Sequence, residues 1–383
     1  MLIVYTFLLA MYYNNDVIIA GGGLAGLIAA IHLSKAGLKV TLLEKHAYPQ
    51  HKVCGEYISN EVVPYLQSLG ADPSALQPST INKFQFSSTT GKIISTPLPM
   101  GGFGLSRYAF DQFLMQKAKE NGCTIIKDTV LNIYFKENEF DVHTTGNGVL
   151  NAPVVLGAYG KRTALDNKLN RSFMKQPSPW LAVKAHYSGP FDENLVALHH
   201  FKGGYCGVSK VENDRINICY LSDYDAFKKY RSIEAFQEQV LFKNIHLKSL
   251  FENCTIKFDV PLSIGQISFE KKEAVKDHVM MIGDAAGLIH PLCGNGMAMA
   301  IHSAKICAEQ VINFSIHKKG SRVDMEQQYR QLWQYHFKNR IQMGSILSTL
   351  MRKEILADFM TASLTNFPFI LPQLIKRTHG YYL

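Results

Sequence analysis

The sequence predicts an α/β fold in which a doubly wound, mostly parallel domain is interleaved with a mostly antiparallel β-sheet domain and followed by a C-terminal helical tail. Three observations predict it. An apolar run, Asp16-Val-Ile-Ile-Ala20, meets a glycine turn, Gly21-Gly-Gly-Leu-Ala-Gly26, and then a helical run, the opening of a doubly wound domain. A second apolar strand with a glycine-rich exit, Val279 to Gly287, returns only late in the chain. Between them, residues 180 to 222 are rich in aromatic and β-branched positions, the composition of a sheet.

Each element follows from local pattern. The helix after the glycine turn carries Leu24, Leu27, Ile28, Ile31 and Leu33 on one side, as an amphipathic helix does, and closes at Gly37. Lys39-Val-Thr-Leu-Leu-Glu44 reads as the second strand. Residues 81 to 98 alternate and break at Thr89-Thr-Gly-Lys92, which predicts a hairpin. Ser106 caps a helix carrying Phe110, Phe113 and Leu114, and Asn121-Gly122 ends it. Short strands are expected at 123–127, 129–135, 139–144 and 153–158, a turn at Asn213-Asp214, and a long helix from near Gly296. The α/β pieces, 14–61, 106–172 and 271–317, therefore flank the β pieces, 62–105 and 173–270, with the helical region at 318–383.

Composition sets the class. The chain has 383 residues, 47% hydrophobic and 19% charged, enough for a sizeable core and incompatible with disorder, collagen or coiled coil. A net charge of +9 invites an anionic partner. The seven cysteines are odd in number and include no C-x-x-C pair, which argues against a disulfide framework or zinc knuckle and for a reducing cytoplasm. Residues 1–10 are apolar apart from Thr6, too short to span a bilayer, and lack the basic start of a signal peptide; they read as a dispensable extension or an early start before Met11, with a membrane-touching anchor as the rival.

Two sites carry chemistry. In the first, Gly21 allows a tight turn, Gly23 lets a pyrophosphate approach the backbone, and Gly26 with Ala30 lets the helix lie close to the strand. Leu24 and Ala25 begin the helix, whose free N–H groups favour phosphate. Glu44, ending the next strand, is placed to accept from an adenosine ribose. The second site is Gly283-Asp284-Ala-Ala-Gly287, continuing to His290-Pro-Leu-Cys293-Gly294-Asn295-Gly296-Met297. Asp284 sits at the C-terminal edge of a strand, where α/β folds bind ligands, and the later glycines admit something planar at the start of a helix.

Together these motifs resemble the FAD-dependent oxidoreductase superfamily that includes p-hydroxybenzoate hydroxylase and the geranylgeranyl reductases, from about Asp16 to Gln342. The text is nearer the reductase branch. Lys52-Val-Cys54-Gly55-Glu56 is similar to that branch's cysteine-glycine segment beside the flavin ring, and Leu105-Ser-Arg107-x-x-Phe110-Asp111-x-x-Leu114 to its helix-starting arginine segment. Gly204-Tyr205-Cys206-Gly207-Val208-Ser209-Lys210 takes the place of its glycine-tyrosine strand, without the tryptophan, phenylalanine and proline of that motif.

The resemblance implies a Rossmann-like FAD-binding domain and an interleaved substrate domain. It implies that Gly21, Gly23, Leu24, Ala25 and Gly26 hold the pyrophosphate, Glu44 the ribose, and Lys45 the neighbourhood of the adenosine. Arg107 would reach the pyrophosphate or ribityl chain, Val130 would meet the adenine through its backbone, and Asp284 would bind the ribityl hydroxyls. Cys54 and Gly55 would lie beside the ring, and Gly294, Asn295, Gly296 and Met297 under its pyrimidine edge. There a helix N-terminus stabilises negative charge on reduced flavin. One departure stands out: the middle motif, Gly157-Ala-Tyr159-Gly-Lys-Arg-Thr163, has tyrosine where the superfamily has aspartate. That acid helps position the nicotinamide donor, so NAD(P)H as the electron source is in doubt.

The expected activity is passage of a hydride or electron pair through flavin N5 to or from a largely apolar substrate of lipid, isoprenoid, quinone or polyketide type. The rivals are a monooxygenase working through a C4a-hydroperoxide and a non-catalytic flavin carrier or sensor. Cys54, Tyr205, His290 and Cys293 are pocket candidates, His290 as a proton donor; packing is the competing reading for the two cysteines and Tyr205 and a hydrogen-bonded loop position for His290. His199-His200 sit on a strand and face opposite ways, and nothing has the spacing of a metal cluster. The basic excess is concentrated in residues 318–383, with ten Lys or Arg against four Asp or Glu. There Met325, Tyr329, Leu332, Trp333, Phe337 and Ile341 keep helical spacing, with Arg330, Lys338 and Arg340 between them. A solvated basic face packed on the body competes with one resting on anionic lipid, a peripheral membrane contact. No nucleic-acid recognition module is present.

Overall fold

A computed structural model describes residues 15–176, 178–352, 371–373, 375 and 380–383. The expected extension at residues 1–10 lies outside the described residues. The described residues form a six-stranded sheet, a three-stranded sheet and a nine-stranded sheet.

The six-stranded sheet has the order Val275–Lys276, Val279–Met281, Val154–Gly157, Val17–Ala20, Val40–Glu44 and Thr124–Lys127, parallel except at its first pair. Register decides what this sheet presents. Val17 is level with both Val154 and Val40, so Ala20, Gly157 and Leu43 end together. Gly21, Ala158 and Glu44 therefore emerge at one edge, and Met281, level with Gly157, delivers Asp284 there too.

The helix Leu24–Lys35 follows the glycine turn as expected, but its amphipathic reading needs correction. Residues on every side of it are buried, Ala25, Gly26, Ala29 and Ala30 together with the leucines and isoleucines. It is covered by the sheet on one side and by helices Arg107–Glu120 and Gly296–Ser315 on others, so small residues take the place of a polar face.

The nine-stranded sheet runs from Thr255–Ile256 through Trp180–Ser188, Ile216–Asp223, Gly204–Lys210, Leu195–Phe201, Ser79–Ser87 and Ile93–Gly104 to Tyr57–Ser59, with Leu262–Ile267 also paired to Trp180–Ser188. Pairing is antiparallel except where Leu195–Phe201 meets Ser79–Ser87. The turn at Asn213-Asp214 has φ of 58° and 57°, the left-handed geometry that these two residue types tolerate. One face of the sheet packs Phe201 and Tyr220 against Phe236, Leu241 and Leu247 of short helices at 233–239, 241–243 and 245–253, which the sequence reading had not anticipated. The other face, with Phe86, Leu198, Tyr205 and Leu221, turns toward the parallel layer.

The C-terminal helix Arg322–Arg352 buries Met325, Tyr329, Trp333 and Phe337, the stripe its spacing predicts. Its basic face is narrower than expected. Arg340 is 8% exposed and pairs with Glu61 at 3.3 Å, so it belongs to the interior and not to a solvated face. Among the described residues no helix is long and apolar enough to cross a membrane. All seven cysteines are free.

Candidate active site

The glycine turn is packed on its own scaffold. Gly21 has φ of 111°, and a Cβ there would lie 2.5 Å from the Ala158 carbonyl oxygen. A Cβ on Gly26 would run into the carbonyl of Gly21. Gly23 differs: a Cβ there would meet nothing nearer than Arg107 Nη2 at 3.7 Å. The protein leaves space above Gly23, which is what an approaching pyrophosphate needs. The Gly22 amide donates to Glu44 Oε2 at 2.7 Å, fixing the carboxylate at the mouth of the turn, and Tyr48 Oη donates to the Gly22 carbonyl at 2.5 Å. Lys45 is exposed beside Glu44. Asp128, whose amide donates to the Glu44 carbonyl at 3.0 Å, leads into the strand Val130–Lys136 and so puts Val130 near the same edge.

Two helix N-termini stand at this end of the sheet. Neither Leu24–Lys35 nor Gly296–Ser315 has a side-chain cap or an acidic residue in its first turn. Their amides and dipoles are thus available to an anion. Gly283 packs within 2.9 Å (as a Cβ) of Ala25 Cβ, so Asp284 is held against the first helix. Gly294 takes φ of 63° and leads through buried Asn295 into Gly296 and Met297.

Arg107 is placed by a carboxylate. Its Nε and Nη2 donate to Asp111 at 2.7 Å each, and Lys52 reaches the same carboxylate at 2.9 Å. Burial alone would push the Asp111 carboxyl up; Arg107 and Lys52 overcome it and hold the group low. The guanidinium therefore stays beside Gly23 in one orientation.

A network that the sequence reading missed supports Cys54 and Gly55. Glu56, with φ of 56°, is fully buried and accepts from the Lys184 ammonium, from His186 Nε2 at 2.7 Å and from the Arg107 amide at 2.8 Å. Burial would raise its pKa, but Lys184 and His186 outweigh that and lower it. Lys184 and His186 lie on the nine-stranded sheet, so this carboxylate ties the arginine helix to that sheet.

Against the nine-stranded sheet, under the loops that carry Cys54, Lys161 and Cys293, lies a cavity of about 180 Å³. Cys54, Gly55, Cys293 and Gly294 line it from loops, and Phe84, Phe86, Leu98, Val196 and Leu198 from the sheet. Leu371 and Ile375 close part of it. Three of the four pocket candidates, Cys54, Tyr205 and Cys293, line this cavity. Tyr205 is 5% exposed, its Oη has no hydrogen-bond partner among the described residues, and burial raises its pKa well above the ordinary value. Burial also pushes the Cys293 thiol up to about 12. His290 is not in the lining. Its ring sits among Trp180, Tyr205 and Phe269 with Nδ1 toward the Leu292 amide, and burial lowers its pKa to about 3. A neutral imidazole behind the wall is no acid at neutral pH, which corrects its place as a proton donor. Tyr159 does not mimic the missing acid: its Oη points to Met281 Sδ at 3.2 Å, into the sheet. Among the described residues no group of side chains can hold a metal ion.

This architecture is shared with known proteins. Residues 14–314 match the FAD binding domain family. A digeranylgeranylglycerophospholipid reductase of Methanococcus vannielii is 24% identical over 364 residues, covering 90% of each chain. A tryptophan 2-halogenase of Chondromyces crocatus is 22% identical, covering 85% of this chain and 66% of that one. Among solved structures, the flavin-dependent brominase Bmp2 superposes with a TM-score of 0.78 at 19% identity, covering 95% of this chain and 94% of that one. A geranylgeranyl bacteriochlorophyll reductase-like protein of Thermoplasma acidophilum superposes with a TM-score of 0.73 at 18% identity, covering 95% and 99%.

Proposed function

The chain belongs to the FAD binding domain family, and from that premise we propose that it is a reductase or dehydrogenase acting on a largely apolar molecule held against its nine-stranded sheet. The cavity carries this reading: about 180 Å³ of space, walled by phenylalanine, leucine and valine, opens beside Cys54, Gly55, Cys293 and Gly294, where the ring of the cofactor is expected. FAD, when bound, supplies the site that gives or takes a hydride.

The residues fit that group. Space above Gly23 and the uncapped helix at Leu24 suit the pyrophosphate, Glu44 the ribose, and Asp284 the ribityl chain. The second uncapped helix, at Gly296, suits the pyrimidine edge. The apolar wall excludes water, which favours hydride movement over loss of reducing equivalents to solvent. Tyr205 keeps its proton and contributes its buried ring to the wall. Tyr159, packed against Met281, offers no carboxylate to a nicotinamide, so the reading assigns electron delivery to another donor.

The test is turnover without oxygen. The purified yellow protein, reduced by dithionite under argon, is mixed with prenyl, quinone and polyenoic lipids, and products are followed by mass spectrometry. Anaerobic formation of a product two hydrogens richer supports the reading. Conversion only in air, with an oxygen or halogen atom gained, overturns it in favour of a monooxygenase or halogenase. Flavin cycling with no product from any compound would leave a carrier.

A further inference from the structure

We propose that Lys161 is a specificity-determining residue that selects substrates bearing an anionic head, a carboxylate or phosphate, on an apolar body; the inference rests on the reading of the cavity as the substrate site. Among the described residues that line the cavity, Lys161 is the one charged side chain. Asp166 is committed to Arg171 at 2.9 Å, Glu273 to Arg171 at 3.4 Å, and Glu56 to Lys184 and His186, while Asp284, on the loop that Lys272 ties to that of Lys161, is assigned to the ribityl chain. None pairs with Lys161 among the described residues.

Its starting point is fixed. The Lys272 ammonium donates to the Lys161 carbonyl and, at 2.8 Å, to the Asp284 carbonyl, and lies 4.5 Å above the Phe173 ring. Lys161 therefore leaves the backbone from a loop clamped to the Asp284 loop, and the flexible part is its side chain alone. That side chain is half-buried against a cavity whose other walls are almost wholly apolar.

An ammonium beside such walls with no partner carboxylate among the described residues offers an entering anion more than water does. A substrate that is apolar throughout would displace the remaining water from the cation and offer nothing in return. The lysine is a compact charge with rotatable donors, suited to one oxygen of a carboxylate or phosphate and not to a rigid fork. The geometry thus favours an amphipathic anion with its head at Lys161 and its chain along Phe84, Leu98 and Val196.

The experiment uses the FAD-loaded protein. Decyl phosphate, decanoate and decanol are titrated while the flavin absorbance is followed, for wild type, Lys161→Met and Lys161→Arg, and the flavin midpoint potential is measured for each. Wild type is expected to prefer at least one anion over decanol by about ten-fold, Lys161→Arg to keep the preference, and Lys161→Met to reduce it to about two-fold or less with the potential unchanged. Phosphate and carboxylate arms identify which head is taken. The proposal fails if wild type shows no preference, or if Lys161→Met keeps it. It also fails if that variant shifts the potential and leaves the preference intact, since the cation then serves the flavin. Should Lys161→Met misfold, Lys161→Gln carries the same comparison. A wild-type protein that takes up no FAD would instead remove the reading beneath it.

Discussion

Glu56 and Lys184 form a buried ion pair that joins the segment beside the expected flavin ring to the middle of the strand Trp180–Ser188, with both side chains fully inaccessible. Two charges taken out of water gain little net stability as a pair, but losing one partner leaves the other buried and unpaired. Glu56→Gln and Lys184→Met are each expected to cost about 3–5 kcal/mol, and the double variant clearly less than their sum. Urea unfolding of the three variants measures this. Strict additivity would show that the two charges are not coupled.

Two of the motif glycines, Gly23 and Gly26, are expected to respond differently to the same substitution. Valine at Gly26 collides with the Gly21 carbonyl, so Gly26→Val should lose several kcal/mol of stability, on the order of a severe overpacking mutation. Valine at Gly23 meets only Arg107 Nη2 at 3.7 Å from its Cβ, so Gly23→Val should fold and fail to retain FAD. Asp284→Ala should fold and retain FAD more weakly. Far-ultraviolet circular dichroism reports the fold and absorbance near the flavin band reports the cofactor. A yellow Gly23→Val protein with wild-type flavin content would disprove the placement of the pyrophosphate.

The parts of the fold and site that were legible in the sequence are those whose causes are local. Gly21, Gly23 and Gly26 lie within one turn, and the strand before them and the helix after them have their own periodicity. The hairpin at Thr89–Lys92 and the stripe Met325, Tyr329, Trp333, Phe337 were readable for the same reason. Glu56 was not. Its partners Lys184 and His186 are 128 and 130 residues away, and no spacing rule links them. Arg340 was misread because a basic residue on an amphipathic helix ordinarily faces water; its partner Glu61 is 279 residues distant. The all-round burial of Leu24–Lys35 depends on two helices packing over it, which no single window of sequence contains.

His290 makes a pH prediction. Burial lowers its pKa from 6.5 to about 3, so below pH 6.5 the unfolded chain takes a proton that the folded protein refuses. Its contribution to stability is present above 6.5 and lost as pH falls toward 3, with a slope of up to about 1.4 kcal/mol per pH unit. His290→Phe, which keeps the ring among Trp180, Tyr205 and Phe269, should flatten the stability profile by about one proton across that window. Denaturation midpoints from pH 4 to 7 (about three points per unit) measure the slope. An unchanged slope would mean that the imidazole is protonated in the folded protein.

Lys272 predicts the opposite arm of the profile and links it to the cofactor. Burial is the main reason its pKa falls from 10.5 to about 8, with Asp284 and Asp166 pulling up and Arg171 and Lys161 pushing down. Below pH 8 the folded protein carries a buried cation, which costs stability. Between about 8 and 10.5 the folded form has released the proton while the unfolded chain still holds it, so stability rises with pH through that window. Lys272→Met removes this rise. It also removes the donor that clamps the carbonyls of Lys161 and Asp284, so the two loops should separate and FAD should bind about ten-fold more weakly at pH 7. The two effects are measured independently, one by unfolding at pH 7.5 to 10 (in roughly half-unit steps) and the other by flavin titration of the apoprotein. Weaker FAD binding together with a flattened alkaline arm identifies Lys272 as the clamp. A variant with wild-type FAD affinity would show that Arg171, through its 2.8 Å bond to the Ala285 carbonyl, suffices to hold the Asp284 loop.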